Sequence, residues 1–240
     1  MPFVLAVLVA GFIGAFAGSL IHAAAVRLPA DLTAIGVPIC PECGAFEPAA
    51  ALIPGWSGTC VSCGARQHRL RWATEGAAAI LAMASIAVHG LTLIGLAIAL
   101  FNLLLLLILR IDWQHHLIFT ATIAPGILLA LAFAVLRSPS ALISATIAGL
   151  AAGLLFALFF ALAVFIYKQQ ALGFGDILLA ILIGTMTGVH SLIPALLLGM
   201  FLAAAGGLLL IAIGVRTRRD YIPYGAYLCA GTMFVLIVLR

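Results

Sequence analysis

The chain has little charge. Of its 240 residues only 8% are charged, and Asp and Glu together number seven. A soluble domain carries roughly 25% charged residues, so an ordinary water-exposed surface is excluded. Basic residues exceed acidic ones, giving a net charge of +4. Spread over loops between apolar runs, that excess points to membrane topology rather than to nucleic acid. The first apolar run also lacks a basic segment ahead of it and continues straight into more protein, which predicts a retained helix and not a cleaved signal peptide. No repeat relates the two halves, and this weighs against a transporter built on internal symmetry.

Apolar residues make up 66% of the chain. A membrane-crossing helix needs about 20 of them in succession. Runs at 3–26, 73–88, 91–109, 117–136, 141–167, 177–189, 192–214 and 222–239 predict an all-α polytopic membrane protein of about eight transmembrane helices. The shortest is 177–189, and Val189-His190-Ser191 marks its expected end. The only long polar stretch follows span one. The expected division is a first transmembrane helix over 1–27, a polar loop over 28–72 and a helical bundle over 73–240. Within span one, Gly14 and Gly18 have the spacing that lets two helices approach closely.

If the polar loop is cytoplasmic, the inner side holds Arg27, Arg66, Arg69, Arg71, Arg110, Lys168, Arg216, Arg218 and Arg219, and the outer side only Arg137 and Arg240. That bias follows the positive-inside rule. The same parity places Asp112 and Asp176 at one membrane face, the cytoplasmic one. Trp72, Trp113, Tyr221 and Tyr224 fall near span ends, as interfacial aromatics do.

Four of the five cysteines fall in the polar loop, as Cys40-Pro41-Glu42-Cys43 and Cys60-Val61-Ser62-Cys63. Each pair makes a tight turn that points two thiolates at one cation, and two such turns complete a tetrahedral site for structural Zn2+. Two disulfides would be the competing arrangement, and a reducing cytoplasmic loop argues for the metal. A loop with so little apolar core also needs such a staple to fold. Cys229, alone in the last span, reads as a small buried apolar residue.

Gly173-Phe174-Gly175-Asp176 places a carboxylate where a membrane helix begins, behind two glycines that let the backbone come close to something else. An ionisable residue at such depth is a functional candidate. Its natural partner is Asp112, in Arg110-Ile111-Asp112-Trp113-Gln114-His115-His116. Two carboxyls that share one proton can act as base on a water and as acid on a scissile carbonyl. Three other roles compete. Either aspartate can cap a helix, Asp112 can pair with Arg110, and the two together can bind protons or cations in an ion-coupled transporter. His115 and His116 read as interfacial residues.

Taken together, these motifs resemble the type IV prepilin peptidases, membrane aspartic proteases with a GxGD motif. Gly18-Ser19 with Arg27-Leu28-Pro29, the four cysteines with Leu52-Ile53-Pro54 and Gly58-Thr59-Cys60, Glu75, Asp112, the Gly173–Asp176 motif and Ile222-Pro223-Tyr224-Gly225 carry the resemblance. It implies catalytic Asp112 and Asp176, flexible catalytic-loop glycines Gly173 and Gly175, and metal ligands Cys40, Cys43, Cys60 and Cys63. The implied reaction removes the leader of prepilins or pseudopilins after a glycine, at the cytoplasmic face of the inner membrane. A second implied activity, N-methylation of the new N-terminal residue with S-adenosylmethionine, belongs to the tetracysteine loop. The substrates serve type IV pili and type II secretion. The chain departs from the pattern at His22, where asparagine is usual, at Ile118-Phe119-Thr120 in place of Leu-Pro-Asp, and at Leu178 in place of lysine. Arg71-Trp72 also stands shifted by one residue and lacks the usual proline.

Overall fold

The computed structural model describes residues 2–66, 68–167, 173–214 and 223–239. Lys168, Arg216, Arg218, Arg219 and Arg240 of the charge count lie outside them, as do Tyr221 and Ile222. The described residues form seven α-helices: α1 (Pro2–Arg27), α2 (His68–His89), α3 (Leu93–His115), α4 (Thr120–Arg137), α5 (Pro139–Tyr167), α6 (Phe174–Ala212) and α7 (Tyr224–Val238). Among them there is no strand, only two isolated antiparallel bridges in the loop after α1. Six helices are long and apolar enough to cross a membrane, and α7 is a shorter apolar helix. This is a multi-pass, all-helical membrane protein with the cysteine loop between its first two helices.

The sixth and seventh expected spans are one helix by hydrogen bonding, α6, with a break inside it. Gly188 has φ 67° and ψ 178°, a conformation open essentially to glycine alone. The break thus falls one residue before the expected Val189. The Val189 N–H freed there donates to the Ser144 hydroxyl of α5 at 3.0 Å. At the other end of α3, His116 takes a left-handed φ of 53° and stops the helix.

The chain forms two compact units, Met1–His115 and His116–Arg240. In the first, α1 and α2 run antiparallel at close range. A Cβ at Gly14 would meet the Ala78 carbonyl at 2.7 Å, and one at Gly18 the Glu75 Cα at 2.6 Å. Backbones approach this closely only over small residues, and in lipid such packing drives helix association. α3 packs on both helices, so the end of α1, the start of α2 and the end of α3 share one end of this unit. α2 starts at His68, five residues before the apolar run, and Arg71, Thr74 and Glu75 in its first turns are buried partners rather than loop. In the second unit, α6 packs on α4, α5 and α7. Cys229 is fully buried in α7.

Candidate active site and metal centre

The two cysteine turns are built alike. The Cys40 N–H donates to the Ala45 carbonyl at 2.9 Å, and the Gly44 N–H to the Cys40 carbonyl at 2.9 Å. Cys60, Gly64 and Ala65 repeat this at 3.0 and 2.9 Å. Bridges between Ile39 and Phe46 and between Thr59 and Arg66 close each turn. The local sequences Cys40–Ala45 and Cys60–Ala65 both read Cys-x-x-Cys-Gly-Ala, so one local solution is used twice.

The four sulfurs then meet. All lie within 4.8 Å of one another, with Cys40 Sγ 3.7 Å from Cys63 and Cys43 Sγ 3.6 Å from Cys60. Zn–S bonds of about 2.3 Å in a tetrahedron require sulfurs about 3.8 Å apart. A disulfide requires about 2.05 Å, and all four cysteines are free thiols. The cluster therefore fits a metal ion. Backbone N–H groups of Cys63 and Ser62 aim at Cys60 and hold its thiol down to about 7, which favours the thiolate a metal needs.

Three buried side chains tie this loop to the helices. Arg27, at the end of α1, donates from Nε to the Thr33 carbonyl at 2.7 Å, and from Nη1 to the Val37 carbonyl. Arg71 on α2 donates to the Ala51 carbonyl and, at 3.2 Å, to that of Ile53, while its guanidinium lies 5.4 Å from the centre of the Trp56 ring. Glu75 takes three donors: the Ser19 hydroxyl at 2.7 Å, Arg71 Nε at 2.8 Å and the Gly55 N–H at 2.8 Å. In the sequence Arg27 and Arg71 had figured as topology charges and in the family resemblance, but not as anchors of the loop. Their place at the two helix ends that flank the loop was the available signal.

The two aspartates belong to different units. Asp112 lies in the last turn of α3 and is 4% exposed; Asp176 lies in the first turn of α6 and is 5% exposed. A helix N-terminus favours a carboxylate, and Asp176 uses that position. Its Oδ2 accepts the Gly173 N–H at 2.9 Å, and its own N–H donates to the Gly173 carbonyl at 3.1 Å. Asp176 does cap the helix, yet the cap occupies one oxygen only. Oδ1 has no hydrogen-bond partner among the described residues. Gly173 has an ordinary extended backbone, φ −82° and ψ 152°. Gly175 is the residue under spatial constraint, since a Cβ there would meet Ile118 Cβ at 2.8 Å.

Tyr224, the first residue of α7, completes the Asp176 surroundings within the second unit. Its ring packs at 6.3 Å on Phe156 of α5, and its phenol lies within electrostatic reach of Asp176. In the sequence Tyr224 read as an interfacial aromatic. Trp72 and Trp113 are both about half exposed.

Residues 98–208 match the type IV leader peptidase family. The matched segment contains both aspartates and the glycine pair and leaves out the tetracysteine loop. No curated protein and no solved structure match the chain.

Proposed function

We propose that this chain, whose residues 98–208 match the type IV leader peptidase family, cleaves prepilins or pseudopilins with Asp112 and Asp176 as a catalytic dyad. The observation that carries the reading is that the family segment holds two carboxyls at helix ends inside an apolar bundle, both buried. Buried carboxyls in a membrane helix are costly and are kept for function. One shared proton lets one carboxylate take a proton from water while the other carboxyl donates to the peptide carbonyl oxygen. The hydroxide equivalent adds to the carbonyl carbon. The tetrahedral intermediate then expels the amine of the mature chain, which takes up a proton, and the leader leaves with a new carboxylate. Among the described residues the cap commits only Oδ2 of Asp176, which supports this assignment.

In this reading the active site faces the cytoplasm from the inner membrane, where the basic leader lies. The four cysteines hold Zn2+ in a closed, structural site. It fixes the loop that Arg27, Arg71 and Glu75 anchor. That loop is the proposed seat of N-methylation with S-adenosylmethionine. Purified protein incubated with a prepilin in detergent should yield a product shortened by the leader. With methyl donor added, that product should gain the mass of one methyl group less the hydrogen it replaces on the amine. An intact prepilin after prolonged incubation overturns the peptidase reading; a shortened product without added mass overturns the methyl transfer alone.

A further inference from the structure

Two buried polar groups of the first unit are left over once the loop anchors are assigned. Arg110 on α3 is 8% exposed. Its Nε donates at 3.3 Å to the Thr74 oxygen, whose own proton goes to the Leu70 carbonyl at 2.8 Å. The carboxylate of Glu75 pairs with Arg71 and not with Arg110. His22 on α1 is 7% exposed, and its Nδ1 is sealed from solvent with no hydrogen-bond partner. Both lie toward the same end of the first unit, and His22 is within electrostatic reach of Arg110, as it is of Arg71 and Glu75. Arg71 is neutralised by Glu75. Arg110 is a positive charge in a membrane-spanning bundle whose hydrogen-bond partner among the described residues is a neutral hydroxyl.

A lone buried cation is among the costliest groups a fold can carry. The guanidinium group of Arg110 and a proton on His22 Nδ1 both suit one acceptor that also brings negative charge. A planar guanidinium matches the oxygens of phosphate in a bidentate way. Depth selects the same chemistry. His22 precedes the end of α1 by five residues, and Arg110 precedes the end of α3 by five. At 1.5 Å per residue both lie about 7.5 Å inside the helix ends, the level of phospholipid phosphates when helix ends reach the outer headgroups. We propose that Arg110 and His22, with Thr74 orienting the guanidinium, form a binding site for one phosphate oxyanion, from a phospholipid headgroup or free in solution. The site is separate from the cysteine cluster and does not depend on the peptidase reading.

The test uses the full chain purified in a maltoside detergent, in phosphate-free chloride buffer. Phosphorus content is measured first; one phosphorus per chain that wild type retains and Arg110→Gln loses counts as binding. Inorganic phosphate or phosphatidylglycerol is then titrated while tryptophan fluorescence follows thermal unfolding. Binding to the native state alone raises the midpoint by several degrees and saturates. A rise with inorganic phosphate assigns the free anion, and a rise with phosphatidylglycerol alone assigns the headgroup. Arg110→Gln should lose the rise. Without anion it should unfold at or above the wild-type temperature, since it no longer buries an unpaired charge. A merely structural Arg110 would lower the midpoint in both conditions. Should Arg110→Gln fail to fold, His22→Phe serves in its place and should need at least tenfold more probe. The proposal is overturned if wild type retains no phosphorus and responds to neither probe, or if the variant tested responds as wild type does.

Discussion

Glu75→Gln tests whether the cysteine loop is held by a buried charge. The side chain keeps its shape, but one of its two oxygens becomes an NH2 donor. In the folded protein both oxygens face donors only: Ser19 and Arg71 on Oε1, the Gly55 N–H on Oε2. Either orientation of the amide therefore sets donor against donor. Arg71 also loses its counter-charge while 3% exposed. Breaking one side of a buried pair costs about 3–5 kcal/mol. A conservative sum that counted only one lost hydrogen bond would give about 1 kcal/mol. The two estimates are far enough apart to separate. Hydrogen exchange reads the difference directly, because the Gly55 amide is itself one of the donors. If exchange proceeds through local opening, about 3–5 kcal/mol speeds it by roughly two to three and a half orders of magnitude. Mass spectrometry of peptides spanning 50–57 should show this, with peptides of α5 unchanged. Replacing both partners, Arg71→Met with Glu75→Met, should cost less than Glu75→Gln alone, since no unpaired charge remains. Exchange at Gly55 within threefold of wild type in Glu75→Gln would refute the charged anchor.

Four further outcomes are expected. Asp112→Asn and Asp176→Asn should each abolish leader cleavage while insertion and metal content persist, because Asn still caps a helix but shares no proton; the double variant should be no worse, cleavage against pH should be bell-shaped, and full cleavage by either single variant rules out the dyad. Metal analysis should find one zinc per chain, and Cys→Ser at Cys40, Cys43, Cys60 or Cys63 should lower it and loosen the loop; metal-free protein with reduced thiols would be the contrary finding. A reporter fused after residue 68 should report the cytoplasm and one after Pro139 the exterior, following the basic bias; the reverse pattern sinks the orientation. Gly188→Ala should destabilise by about 1–3 kcal/mol or more in thermal unfolding, since it forces a side chain into a glycine-only conformation; an unchanged midpoint would show that the break relaxes freely.

Much of the architecture follows from sequence because it depends on short-range chemistry. Exclusion from water is a property of each apolar run, so six membrane-length helices stand where runs were expected. Each cysteine turn is a six-residue solution, legible from Cys-x-x-Cys-Gly-Ala alone, and the convergence of two such turns on one cation was implied by their composition. Asp176 stands in a first helical turn, where its place after Gly173-Phe174-Gly175 puts it. What the tertiary structure alone decided is which polar groups meet. Ser19 and Glu75 are 56 residues apart in sequence and 2.7 Å apart in space, because small residues at 14 and 18 let α1 and α2 touch. The same approach buried Arg71 and turned a topology charge into an anchor. It sealed His22 Nδ1 from solvent without a partner, which no local pattern announces. The break in α6 belongs at Gly188 rather than at the more polar His190, since a hydroxyl on α5 is there to take the freed N–H and only glycine tolerates the turn. Hydropathy is read along the chain, whereas the partner of a buried charge is set by whichever helix packs against it.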